Sequence, residues 1–160
     1  ETAAGKYPVE ALRTMVRIAE RAEADINYAA RFQKREFSSG GNVTHAISHA
    51  ACTSAIDLGA KAVVAFTLSG RTAQEISAFR PGCRIIACTS CEKTYRQLSM
   101  TWGVSALMVK DEENLDDLFS RGIKAVVESD LLHEGDLVVV TAGVPIGVSG
   151  STNFIKVMNA

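Results

Sequence analysis

From Val9 to about Arg31, apolar residues fall at Val9, Leu12, Val16, Ala19, Ile26 and Ala30. Steps of three and four lay one stripe along a helix, and Pro8 sits in the first turn, where proline is tolerated. Ser38-Ser39-Gly40-Gly41 breaks the pattern. Asn42 then caps a second helix with Val43, Ile47, Ala50, Ala51 and Leu58 on one face and Gly59 as its stop. After Gly59 the period changes. Ala62–Phe66, Arg84–Cys88, Val104–Val109, Leu137–Thr141 and Asn153–Met158 are short apolar, β-branched runs that predict strands. Between them Arg71–Phe79, ended by Pro81, a weaker segment around Lys93–Met100, and a clear stripe at Leu115, Leu118, Phe119, Ile123, Val126 and Val127 predict helices.

Short strands alternating with helices predict an α/β fold, a doubly wound sheet with helices on both faces. The last two strands are joined by only about ten residues without helical pattern. That is too short for a helical crossover, so the fifth strand is expected to run antiparallel.

With 160 residues the chain is the size of one domain and can bury a real core. Its formal net charge of −1 gives no field that would draw it to nucleic acid or an anionic membrane. No apolar run reaches the length of a membrane span, and the opening residues carry no targeting pattern, so the expectation is a cytoplasmic protein. The opening Glu1-Thr2-Ala3-Ala4-Gly5-Lys6-Tyr7-Pro8, without an initiator Met, reads as the exit of one domain and the start of another. On that reading residues 1–30 are a linker and helix, and 31–160 are the α/β domain.

Four cysteines, Cys52, Cys83, Cys88 and Cys91, do not make a disulfide framework in a chain this large. Cys88-Thr89-Ser90-Cys91 has redox-motif spacing at an expected strand-to-helix turn. A dithiol site needs its first thiol lowered in pKa at a helix N-terminus; the alternative is two reduced, partly buried thiols.

Open α/β sheets bind ligands beyond the carboxyl ends of their strands, where strand order reverses. Two loops have the composition for that place. In Thr67-Leu68-Ser69-Gly70-Arg71-Thr72, hydroxyls, a glycine allowing close backbone approach and an arginine meet a helix N-terminus. Free amides and a partial positive charge there suit an anion such as phosphate, and Arg71 can add a bidentate contact. The competing reading is a helix capped by Ser69 with Arg71 merely solvated. The second loop, Gly143-Val144-Pro145-Ile146-Gly147-Val148-Ser149-Gly150-Ser151-Thr152, holds glycines and hydroxyls that suit a backbone nest for phosphate oxygens. They suit an empty flexible hairpin equally. If the first and fourth strands are neighbours, both loops line one crevice.

Catalytic patterns are missing from the sequence. The acids from Asp111 to Asp117 read as a helix start. His45 and His49 stand four apart on a helix without a third metal ligand nearby. There is no Walker loop, Gly-x-Gly-x-x-Gly fingerprint or supported Ser–His–acid order. No residue here is assigned as catalytic or metal-binding, and no cofactor is expected in this chain.

The opening segment resembles the Gly-Glu-Thr-Ala-x-Gly-x-Tyr-Pro stretch of pyruvate kinases, where the catalytic barrel hands over to the C-terminal domain. Further blocks are similar in order: His45–Thr53, Lys61–Ala73, Arg96–Val104 and Glu134–Gly143. The resemblance covers essentially the whole chain. It implies a three-layer α/β/α sandwich whose five-stranded, mostly parallel sheet reverses order between strands one and four, with the last strand antiparallel. It also implies an allosteric effector site and an oligomerisation role. There Thr67, Ser69, Gly70, Arg71 and Thr72 would grip a phosphate, and Gly147, Ser149, Gly150, Ser151 and Thr152 would close over it. Eukaryotic-type members add a Trp and an Arg for a second phosphate. The implied effector is a sugar phosphate, often fructose 1,6-bisphosphate in the family, or a nucleotide monophosphate; here Trp102 falls in a different block and only Arg121 lies near the needed region, which makes a monophosphate such as AMP, ribose 5-phosphate or glucose 6-phosphate a credible effector. The implied parent is a homo-oligomer that moves phosphate from phosphoenolpyruvate to ADP with Mg2+ and K+. Its catalytic barrel would be missing from this chain, which alone would be inactive. The alternative is a free-standing α/β phosphate-ligand sensor descended from that domain.

Overall fold

The computed structural model describes residues 2 and 4–160. Glu1 and Ala3 of the opening segment lie outside the described residues. The elements run α1 (Pro8–Ala24), α2 (Tyr28–Gln33), α3 (Val43–Leu58), β1 (Ala62–Phe66), α4 (Arg71–Phe79), β2 (Arg84–Thr89), α5 (Glu92–Leu98), β3 (Val104–Met108), α6 (Leu115–Glu128), β4 (Leu137–Gly143) and β5 (Thr152–Asn159).

The strands form one sheet in the order β3-β2-β1-β4-β5. All neighbours are parallel except β4 and β5, which pair antiparallel from Leu137 opposite Asn159 to Gly143 opposite Thr152. β1 lies at the centre, and alternate residues serve opposite faces. Val63 and Ala65 pack with Ala51 and Ala55 of α3, Ile76 of α4 and Leu98 of α5. Val64 and Phe66 pack with Leu118, Phe119, Ile123 and Val126 of α6. The chain steps outward from β1 to β2 to β3, then returns to place β4 on the other side of β1. Right-handed crossovers therefore set α4 and α5 on one face and α6 on the other. The result is the expected three-layer α/β/α sandwich.

One predicted element divides. The stripe from Val9 to Arg31 is two helices, because Asn27 accepts a hydrogen bond from the Ala30 amide at 2.9 Å and starts α2 afresh. The cause is local: an Asn side chain satisfies an orphan amide and makes a helix start there favourable. α1 has no buried residue. Its Val9, Leu12, Met15 and Ile18 stay exposed, Ile18 at 64%. Its polar tether to the body is at its C-terminal end, where Trp102 Nε1 donates to Glu23 Oε1 at 2.6 Å.

Candidate functional site

The carboxyl ends of the four parallel strands open on one side, and the loops after β1 and β4 meet there, because β1 and β4 are neighbours. Their meeting is not one crevice. An inner recess is lined by Thr67, Leu68, Thr72, Lys110 and the loop from Ile146 to Thr152, above Phe66 and Ala142. An outer recess is lined by Ser69, Arg71, Gln74, Glu75, Ala78, Ser149 and Gly150. Ser149 and Gly150 border both. The sequence-predicted set is thus split: Thr67 and Thr72 face inward, Ser69 and Arg71 outward, with the second loop as the partition. The inner recess has a free volume of about 60 Å3, against about 700 Å3 outside.

Gly70, not Ser69, caps α4. Its φ of +78° is a left-handed conformation that favours glycine, and a Cβ there would lie 3.1 Å from Thr94 Cγ2 and 3.2 Å from Leu98 Cδ2. Its backbone conformation and its close packing onto α5 thus favour glycine here, besides the ligand approach for which the sequence reading chose it. The Gly70 amide donates to Thr67 Oγ1 at 3.0 Å, and Thr94 Oγ1 donates to Leu68 O at 2.6 Å, fixing the loop. No side chain caps α4, whereas Asn27, Asn42 and Asn114 cap α2, α3 and α6. Arg71 is 55% exposed, with Nε 3.9 Å from Glu75 Oε1.

In the second loop several predicted donors are spent within the protein. Ser151 Oγ donates to Val148 O at 2.7 Å, and the Thr72 and Thr152 hydroxyls bond to each other. A β-bulge at Ala142 and Gly143 shifts the register there, and Thr152 meets α4 on the face to which Ile155 also packs. Asn153, which the sequence reading passed over, holds both the amide and the carbonyl of Val144 at 2.9 and 2.7 Å. The Val144–Pro145 peptide is cis. Thr44 at the start of α3 donates to Gly150 O at 3.4 Å, tying the partition to a third element. Lys110 was also missed; its place just beyond β3 was the available signal.

The other candidates fall elsewhere. Arg121 pairs with Glu112 at 3.1 Å and lies outside both recesses. Trp102 precedes β3 at the opposite end of the strands, under the Arg80 guanidinium at 4.3 Å. Cys88 is buried, and burial pushes its thiol up to about 12. Cys91 starts α5 and has its pKa lowered, first by the Thr94 amide. The dithiol pattern is inverted: the first sulfur, which should be the nucleophile, is the inert one. His45 Nδ1 bonds Glu75 Oε2 at 2.7 Å, and among the described residues no cluster of three or more His, Cys, Asp or Glu side chains could hold a metal.

A doubly wound α/β domain with paired loops at the switch point is thereby defined. A family model described as "Pyruvate kinase, alpha/beta domain" matches residues 45–158. Among similar proteins are the pyruvate kinases of Sporosarcina psychrophila, 45% identical, Clostridium acetobutylicum, 42%, and Geobacillus stearothermophilus, 41%. Each alignment covers 98% of this chain but only 27%, 33% and 27% of the relative. The chain belongs to the pyruvate kinase family and corresponds to its C-terminal α/β domain. It spans about a quarter to a third of the length of those relatives. No helix among the described residues is long and apolar enough to cross a membrane.

Proposed function

We propose that this chain is the effector-binding and oligomerisation domain of a cytoplasmic, glycolytic pyruvate kinase. The parent transfers phosphate from phosphoenolpyruvate to ADP; the barrel that does so, with its Mg2+ and K+, is supplied by the rest of the parent. Residues 1–30 are read as the barrel exit. The exposed stripe of α1 supports that reading, since Val9, Leu12, Met15 and Val16 form an apolar face that nothing among the described residues covers. Copies of the parent pair through this domain; a strictly monomeric parent at tens of micromolar in sedimentation refutes that part.

The observation that carries the effector reading is the approach of Ser149 and Gly150 to the uncapped N-terminus of α4, beside Ser69 and Arg71. Unfilled amides, a hydroxyl and a guanidinium there offer charge-assisted hydrogen bonds to a phosphate. The outer recess has room for the rest of a sugar monophosphate or nucleotide monophosphate. Calorimetric titration with ribose 5-phosphate, glucose 6-phosphate and AMP tests this. Ser69→Glu places a negative charge where the phosphate sits and abolishes binding at little cost in stability. Arg71→Ala weakens it by about 1.5–3 kcal/mol. Unchanged affinity in Ser69→Glu makes the loop a helix start and nothing more.

A further inference from the structure

We propose that His45 and Glu75 form a proton-operated gate on Arg71, so that the outer recess binds anions more tightly when His45 carries a proton. The proposal rests on the anion-site reading above. Its basis is the way one carboxylate is shared. Glu75 turns Oε2 to His45 Nδ1 at 2.7 Å and Oε1 toward Arg71 Nε at 3.9 Å. Glu75 and His45 are sheltered at 24% and 26% exposure, whereas Arg71 at 55% reaches into the recess.

The charges decide the sign. With His45 neutral, Nδ1–H donates to Glu75, and the carboxylate offsets the charge of Arg71 beside the recess. With His45 protonated, the carboxylate is shared between two cations and the trio carries net +1. An arriving anion then meets a positive site instead of a cancelled pair.

The surroundings single out His45 from its neighbour on the same helix face. His49 stacks on Phe37 at 3.7 Å and on Phe32 at 5.0 Å, with no carboxylate partner among the described residues. Burial, then the charges of His45 and Arg35, hold its pKa down. Around His45 stand Glu75 and Phe79 from α4, His49 from its own helix, and Phe37 from the segment after α2. Arg35 lies over Phe79 at 5.1 Å, and Arg71 acts through Glu75. Glu75 is the one anion in contact with His45 among the described residues. Thr44, next to His45, also reaches Gly150 O, so the start of α3 touches both sides of the recess.

Sulfate is the probe, because it stays a dianion throughout the range in which His changes charge, between about pH 5 and 8. Calorimetry on the wild-type chain is expected to give an affinity about threefold to tenfold higher at the acid end than at the alkaline end. His45→Gln, which can still donate to Glu75 but never charges, is expected to lose that slope and hold the alkaline affinity. Glu75→Gln is expected to bind tightly throughout. The ring titration of His45, followed by NMR, must move upward when sulfate saturates the site, since linkage is reciprocal. A wild-type slope surviving in His45→Gln, or a His45 titration indifferent to bound sulfate, overturns the gate and leaves the anion site standing. Absence of sulfate and sugar-phosphate binding at every pH overturns both.

Discussion

Thr72, at the start of α4, and Thr152, at the start of β5, bond hydroxyl to hydroxyl although eighty residues apart in the chain. Both are buried. The bond joins α4 to β5 beside the inner recess and uses the proton of one of the two hydroxyls.

Replacing either partner by Val keeps the shape but leaves the other hydroxyl buried and unpaired. Thr72→Val or Thr152→Val is expected to cost about 1–3 kcal/mol in urea unfolding, and the double variant clearly less than the sum of the two. Strict additivity would mean that the two hydroxyls do not depend on each other.

Gly122 on α6 faces the ring of Phe66. A Cβ there would lie 2.3 Å from Cε1 and 2.4 Å from Cζ, and the ring is backed by Phe119 at 5.6 Å. Gly122→Ala gains up to about 1 kcal/mol of helix propensity but forces the ring to move, at about 1–3 kcal/mol. A lower melting temperature is expected; a higher one would show that the ring yields freely. Because Phe66 lies under the inner recess, the same change should disturb the loop above it.

His49 makes the fold acid-sensitive. Its pKa is lowered in the folded state, first by burial, whereas an unfolded His titrates near about 6.5. Below that value the unfolded chain takes up the proton and the folded one resists it. Stability should therefore fall as pH drops from about 6.5 toward the folded pKa, with no contribution above that window. Urea midpoints across the range should be flatter for His49→Gln than for the wild type.

Cys91 should be the first thiol alkylated by iodoacetamide near neutral pH. The Thr94 amide stabilises its thiolate; the Thr94 hydroxyl proton is already donated to Leu68 O. Cys52 and Cys88 are buried, with thiols pushed far up by burial, and should react only on unfolding. Mass spectrometry of peptides after brief labelling decides it. Prior labelling of Cys88 would contradict the packing of β2.

The strands were legible in the sequence because period and β-branching agree from Ala62 to Phe66 and again from Leu137 to Thr141. The antiparallel β5 followed from loop length alone. The division at Asp25–Asn27 was hidden because Ile26 and Ala30 keep the apolar stripe intact across it; only the Asn27 side chain breaks the helix. Loop composition marked the switch point. It could not say that Gly70 serves α5, or that Thr72 and Thr152 satisfy each other, because both facts depend on contacts between distant parts of the chain. Lys110 was overlooked because only its place just beyond β3, and no motif, marked it.

The ridge at Ser149 and Gly150 is a party wall. Whatever swells the chamber on one side must take room from the chamber on the other or lift the wall from its footing on Thr44. Were both sides filled, any effect of one occupant on the hold of the other would have to be returned by the same factor.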